Sequence, residues 1–336
     1  MTRFPHFLAT GTILLALALP AAGAPLELTP FFTQNQSPLI QIFGLPPADS
    51  ATLTAPGKIQ LRLTADVAND YAVDNNGLES VTIDVESYRF TFDLRYGITP
   101  WAELGLEIPV VVYAGGFLDN FIINFHDAFG LPQNGRKSAP RNQVLVSYER
   151  NGQTLLNVQE SSAGIGDLRL TGGVQLYHDR TKNPAALALR GSLKLPTGDS
   201  DLLHGSGATD FALWLTGSKD FPLGDGHLTL FGAAGGLVMG TGDVLPELQR
   251  SVAAFWNGGL GWAPTDWIGF KLQFSGNTPC YQDSSLRPLS LTAWQLTFGG
   301  TLAFGERTTL DIGISEDLQV DASPDATFNL SLTHRF

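Results

Sequence analysis

Charge, cysteine and long apolar runs are all scarce in this 336-residue chain, and each shortage closes off a class of protein. Only 15% of the residues are charged, against about 25% in ordinary soluble domains. Lys and Arg number 20 against 32 Asp and Glu, a net charge of −12. No cluster of cations interrupts that acidity, so nucleic acid is not an expected partner: phosphate binding needs gathered Lys and Arg. The acidic residues read as loop residues that serve solubility. The single cysteine, Cys280, follows Asn277-Thr278-Pro279 in a loop-like stretch. It excludes a disulfide framework and reads as a spare small residue. Beyond the first 24 residues no apolar run approaches the ~20 that a membrane helix needs; Val110-Val111-Val112 is typical of the longest. Metal-ligand spacing is missing. Gly164-Ile165-Gly166, Gly205-Ser206-Gly207 and Gly240-Thr241-Gly242 lack the Gly-Lys-Ser/Thr of a phosphate loop and read as turn glycines. No catalytic set, metal or cofactor is expected on these grounds.

What is present begins with a secretory leader over residues 1–24. Arg3 supplies its positive charge, Phe7 to Leu19 its apolar stretch, and Pro20-Ala21-Ala22-Gly23-Ala24 its small residues for cleavage. Pro25 disfavours a cut after Ala24, which points to Gly23. No cysteine follows, so a lipid anchor is not expected.

The remainder alternates between apolar and polar residues, the two-residue period of strands with one greasy and one wet face. Tyr88, Phe90, Phe92, Leu94 and Tyr96 alternate with Arg89, Thr91, Asp93 and Arg95. Leu104, Leu106, Ile108 and Val110 alternate with Glu103, Gly105 and Glu107. A soluble sandwich and a membrane barrel share this pattern with opposite faces inward. The connections choose between them. Short links at 97–100, 179–183, 220–226, 263–266 and 305–307 alternate with long ones at 69–80, 114–163, 196–206, 241–250, 277–288 and 317–325. Short turns at one end and long loops at the other are the habit of outer-membrane barrels. Tyr96, Trp101, Trp262, Trp267, Phe304 and Phe336 flank the short-turn end like an interfacial girdle.

The expected fold is therefore an all-β, transmembrane, antiparallel meander barrel over residues 57–336, with about 12 strands. They are placed at 57–69, 81–98, 101–113, 165–178, 185–196, 207–219, 227–240, 251–263, 266–277, 289–304, 308–317 and 326–336. Within the second, Val81, Ile83 and Val85 are out of phase with Tyr88 onward. Either a bulge at Glu86-Ser87 switches the phase, or residues 81–85 stand above the membrane. The final strand, 326–336, carries Phe328, Leu330, Leu332 and Phe336 on its apolar face, with His334 departing from it. Such a strand, ending on an aromatic residue, resembles the insertion signal of bacterial outer-membrane barrels. The resemblance implies an outer-membrane address, with lipid, lipopolysaccharide and the barrel-assembly machinery as partners.

Two segments break the hairpin rhythm. Residues 25–56 precede the first strand and hold apolar residues that are costly to leave in water. They are expected to tuck into the lumen or against its rim. In the 114–163 excursion, Phe117, Phe121, Phe125 and Phe129 recur every four residues, one face of a helix that Gly130-Leu131-Pro132 would stop. His126 and Asp127 sit on it, His126 capping the apolar face. Asn151-Gly152 then signals a hairpin between 143–148 and 154–159. Asn35-Gln36-Ser37-Pro38-Leu39, Ile42-Phe43-Gly44-Leu45-Pro46, Gly115-Gly116-Phe117-Leu118-Asp119, Phe125-His126-Asp127-Ala128-Phe129-Gly130-Leu131-Pro132 and Gly135-Arg136 together resemble an uncharacterised bacterial outer-membrane barrel family, domain of unknown function 3187. The likeness runs over nearly the whole chain after the leader. It implies a barrel and an outer-membrane address, and no activity. Lys194-Leu195-Pro196-Thr197-Gly198-Asp199 with Gly205-Ser206-Gly207-Ala208-Thr209-Asp210-Phe211 is similar to a loop pattern of outer-membrane solute transporters.

Function is sought in the lumen. Arg62, Arg89, Arg95, Glu103, Glu107, Asp167, Arg169, Arg190, Lys194, Asp210 and Lys271 fall on the inward phase. Rings of mixed sign either line an aqueous path or cross-pair and close it. A conduit for a small solute, amphiphilic solutes included, is the first expectation. A non-conducting structural or surface-interaction barrel is the second. An outer-membrane hydrolase is the third. For it, Asp199, Asp201, His204 and Asp210 share one loop that would otherwise be solvated, and that could equally be read as a calcium-type carboxylate cluster.

Overall fold

The structure, a computed structural model, describes residues 25–118, 120, 123, 124, 127, 130, 140–181 and 183–336. Fifteen strands follow one another: β1 (Ile59–Asn75), β2 (Glu79–Thr99), β3 (Ala102–Ala114), β4 (Leu145–Arg150), β5 (Gln153–Val158), β6 (Ser162–Ile165), β7 (Arg169–Asp179), β8 (Ala185–Lys194), β9 (Asp210–Leu223), β10 (Gly226–Met239), β11 (Val252–Ala263), β12 (Ile268–Asn277), β13 (Ala293–Phe304), β14 (Thr308–Asp317) and β15 (Ala326–Arg335). Twelve of them close into an antiparallel barrel, each strand paired with its neighbours along the chain and β3 with β7. The last strand meets the first, from Gln60 opposite Arg335 to Asn69 opposite Ala326. Closure leaves the ring no open edge, the condition for spanning hydrocarbon.

The alternation is turned inside out relative to a soluble protein. Phe92 and Leu94 are 39% and 37% exposed, while Asp93 between them is fully buried. Leu104 and Leu330 are also exposed on the outer face. Greasy side chains face outward to lipid, and charged ones face an enclosed centre. Tyr96, Trp101, Trp262, Trp267 and Phe336 stand exposed at the short-turn end.

Three wall features differ from the sequence expectation. The first long connection is not a loop: β1 and β2 continue as a ladder to Asn75 opposite Ser80. A three-residue turn closes it, with Gly77 at φ +87° and the Asn76 side-chain oxygen Oδ1 accepting from the Leu78 and Glu79 amides. No bulge lies at Glu86-Ser87 either, since the β1–β2 register is unbroken through both. Val81, Ile83 and Val85 share the inward phase of Arg89 and Arg95 and are buried; the interior itself changes character along the strand. Finally, the strand expected at 165–178 is interrupted. Ser162 to Ile165 pairs with the upper end of β3, Arg169 onward with its lower end. Pro109 of β3, which has no N–H to give the ladder, faces the break and accepts from the Gly166 amide at 2.8 Å. The β4–β5 hairpin, turned by Asn151 (φ 53°) and Gly152 (φ 76°), extends the wall by pairing β4 with the outer end of β2.

The centre is filled by residues 25–56. They rise from the short-turn end, turn over within Ser37–Phe43, where the Gln41 amide donates to the Ser37 carbonyl at 2.8 Å, and return to β1. At the top, Leu39, Ile42 and Phe43 join Val81, Ile83 and Tyr148 of the wall and Leu245 and Leu289 of the connections in one apolar cluster. Cys280, in the connection after β12 as its sequence context suggests, belongs to it and is fully buried. A short helix, α1 (Arg287–Ser290), packs Pro288 and Leu289 into the same region.

Candidate functional site

An irregular backbone inside a barrel has no ladder to satisfy its amides and carbonyls, so the wall must do it with side chains. On the ascending limb, Lys271 Nζ donates to the Thr29 carbonyl at 3.0 Å, and the Gln273 side chain accepts from the Phe31 amide at 2.8 Å. Near the turn, Lys194 Nζ donates to the Ile42 carbonyl at 2.9 Å, and Asp210 accepts from the Gly44 amide at 2.8 Å. On the descending limb, Arg169 reaches the Leu45 carbonyl at 3.1 Å and Arg190 the Ser50 carbonyl at 2.8 Å. Glu103 accepts from the Thr54 amide at 2.6 Å. Two rings are covered by cations: Arg62 lies 4.1 Å over Phe32, and Lys271 4.0 Å over Phe31.

Asp49 is the hub of this arrangement. Its carboxylate pairs with Arg62 at 3.6 Å, with Arg190 at 3.4 Å and, most closely, with Arg95. Asp93 and Glu103 complete the cluster: Arg95 reaches them at 3.1 and 3.6 Å, and Arg190 meets Glu103 at 2.5 Å. Three guanidiniums thus face three carboxylates in a site closed to solvent. Burial works to raise the Asp49 pKa. The charges of Arg190, Arg95 and Arg62 outweigh it and hold the carboxyl well below the usual carboxylate range.

All eleven inward candidates are buried. Arg62, Arg95, Glu103 and Arg190 meet around Asp49. Arg169 pairs with Glu107 at 2.9 Å, Lys194 with Asp167 at 2.7 Å and Asp210 at 3.1 Å, and Lys271 with Asp311 at 2.7 Å. Arg89 alone has no carboxylate within ion-pair distance among the described residues. Acidity is accordingly not confined to loops. Sequence reasoning missed three partners. Asp93 and Asp311 sit on the inward phase, where the alternation exposes them. Asp49 lies in a segment without any period.

The loop carrying His204 is not a solvated one. His204 is buried, stacks on Tyr113 at 5.9 Å and hydrogen-bonds the Ser162 hydroxyl at 3.0 Å through Nε2. Asp199 and Asp201 are exposed, and Asp210 faces Lys194. No carboxylate hydrogen-bonds the imidazole among the described residues. Nor do His, Cys, Asp and Glu gather into any metal-holding set among those residues. Phe117 is exposed; Phe121, Phe125, His126 and Phe129 lie outside the described residues. On the last strand, Leu330, Leu332 and Phe336 are exposed on the outer face, and Phe328 is partly covered by Leu118 and Ala326.

Residues 7–336 match the profile of a family described as Protein of unknown function (DUF3187). The chain belongs to the DUF3187 family. No curated protein is similar enough in sequence to match this member. Among solved structures, the COG4313 outer membrane channel from Pseudomonas putida F1 is similar over 85% of this chain and 98% of its own, at 14% identity and a TM-score of 0.52. The CymD monoaromatic hydrocarbon channel aligns with 91% of this DUF3187 chain and 93% of its own, at 12% identity and a TM-score of 0.36. The first likeness establishes a shared barrel fold; the second is too low in TM-score to carry an argument.

Proposed function

We propose that this DUF3187 protein is a gated outer-membrane conduit for a small solute, and that residues 25–56 are its gate. One observation carries the reading: the wall is hydrophilic and ion-lined, and what fills it is a separate tethered segment held by side chains. A barrel closed for structural purposes alone can fill its centre with its own inward side chains. Here the strands leave room for about thirty residues of foreign backbone and dress it with hydrogen bonds. The interior also grades from ionic at the short-turn end to apolar at the other, a sequence of surfaces suited to an amphiphilic solute. Outer-membrane lipid and lipopolysaccharide would surround the greasy face, and the assembly machinery would read β15. The similarity to an outer membrane channel supports the same address.

A second reading, a non-conducting structural or surface-interaction barrel, is favoured by the apolar cap. Leu39, Ile42 and Phe43 are as buried as any protein core, and a core is costly to open. Single-channel recording in planar bilayers separates the two. The conduit reading expects brief openings from the full chain and a steady, larger conductance once residues 25–56 are deleted. If the deleted barrel inserts and stays silent, the gate is wrong and the structural reading takes its place.

A further inference from the structure

At the short-turn end, between the residue 25–56 segment and the ends of β1, β14 and β15, lies a chamber of about 320 Å³. Its lining side chains include five cations, Lys58, Arg62, Arg180, Arg307 and Arg335, against one side-chain carboxylate, Glu27. In a chain of net charge −12, a quarter of all Lys and Arg meet at this one mouth. Two of the five are spoken for: Arg335 pairs with Glu27 at 2.9 Å, and Arg62 is shared between Asp49 and Asp93. Lys58, Arg180 and Arg307 have no carboxylate within ion-pair distance among the described residues.

Cations at a barrel rim ordinarily face lipid phosphates from the outside. These do not. Lys58 is in phase with the buried Gln60 and Arg62, while Ile59 and Leu63 face outward. Arg335 is in phase with the buried Thr333, and Arg307 with Asp311. Thr29, Thr52, Thr301 and Thr309 complete a wall of hydroxyls. Uncompensated cations converging with hydroxyl donors on a partly enclosed volume are complementary to an oxyanion, and the low-dielectric walls strengthen the attraction. The volume is that of a small-molecule site.

We propose that this chamber binds an oxyanion, a phosphate or a carboxylate, at the short-turn mouth. The site requires the folded barrel with residues 25–56 seated in it, not conduction, so a barrel that never conducts could still bind the anion. Two sources could present the group: a free small anion, or the headgroup of a phospholipid reaching over the rim.

The test is calorimetric titration of the full-length barrel in a non-ionic detergent. One arm uses inorganic phosphate; the other uses a short-chain phosphatidylglycerol below its micelle concentration. Saturable binding is expected in at least one arm, weakened about ten-fold or more in the Lys58→Gln/Arg307→Gln double variant. Lys219→Gln, which neutralises a cation outside the chamber, should leave the affinity unchanged. Both exchanged side chains are solvent-exposed, and an unchanged far-ultraviolet spectrum checks the fold. Phosphate binding identifies a free anion as the source, and lipid-only binding identifies the headgroup. Absence of saturable binding in both arms, or an affinity that the double variant does not alter, overturns the site.

Discussion

Replacing Asp49 by Asn removes one negative charge and almost no volume from a balanced cluster. Arg62, Arg95 and Arg190 would then face Asp93 and Glu103, with Glu107 3.9 Å from Arg95 but already paired to Arg169, so one guanidinium is left uncompensated where Arg95 and Arg190 are each 3% exposed. Taking away one partner of a buried ion pair costs about 3–5 kcal/mol, because the remaining charge stays desolvated. In the proposed open form water would reach the arginines, and the barrel need not bear that cost there. The penalty therefore falls on the closed state. At about 1.4 kcal/mol per decade, D49N should shift the gate toward open by roughly two to three and a half orders of magnitude. Open probability in planar bilayers reads this directly, and the unfolding temperature of the ladder should change little. The double variant D49N/R190Q restores charge balance and should recover most of the closure. A D49N barrel as silent as the parent, or a double variant as open as the single, would refute the assignment of Asp49 as the ionic hold. Acid should act on the same group. Its pKa is depressed when folded, so its contribution is complete above the ordinary carboxylate range and is lost only as pH falls through the much lower folded value. Openings driven by Asp49 protonation are expected in strong acid and not near pH 5.

Other residues give sharper local outcomes. A β-carbon at Gly44 would lie 2.7 Å from that of Asp210, so Gly44→Ala should push the segment's turn off the wall and raise conductance without unfolding the barrel. Ile83→Asp places a charge in the apolar cap and should lower the unfolding temperature, whereas Thr91→Asp on the same inward phase among ionic residues should be far milder. On the lipid face, Leu330→Arg should cost up to about 2–4 kcal/mol in barrel stability, measured by urea titration in lipid vesicles. Burial holds the His204 imidazole below its ordinary value of 6.5, so the folded loop prefers the neutral ring. That contribution is complete above about 6.5 and drains as pH falls toward the lower folded value. Protection factors across residues 197–206, corrected for the intrinsic exchange rate, should fall as pH is lowered from 7.5 to 5, and should not if His204 is replaced by Gln.

The wall was legible in the sequence because a strand that separates lipid from a polar centre writes its two faces in alternating letters. The same logic placed Arg95, Glu103, Lys194 and Lys271 on one side before any partner was visible. For residues 81–85 it offered a bulge or a stretch above the membrane, and the bulge reading failed for a definite reason. Alternation reports where an apolar face lies only if the opposite side is polar, and at the long-connection end the interior is apolar too. Val81, Ile83 and Val85 then looked like outward residues that had slipped phase, when the register with β1 never changed. Residues 25–56 carry no period, since their backbone follows the side chains of the wall. Asp49 and the carbonyls of Ile42, Leu45 and Ser50 could not be assigned partners from spacing. The Ser162–His204 contact joins the first residue of β6 to the connection between β8 and β9, 42 residues apart in sequence, a separation that no local pattern encodes.

The inverted wall is most directly tested by lipid access along β2. Cys280, the only cysteine, is fully buried, so single cysteines placed at positions 91 to 94 can be labelled with bimane against a quiet background. In vesicles containing brominated lipid, labels at positions 92 and 94 should be quenched and labels at 91 and 93 should not. Uniform quenching, or quenching confined to 91 and 93, would contradict a barrel that turns Phe92 and Leu94 to hydrocarbon and Asp93 to an enclosed centre.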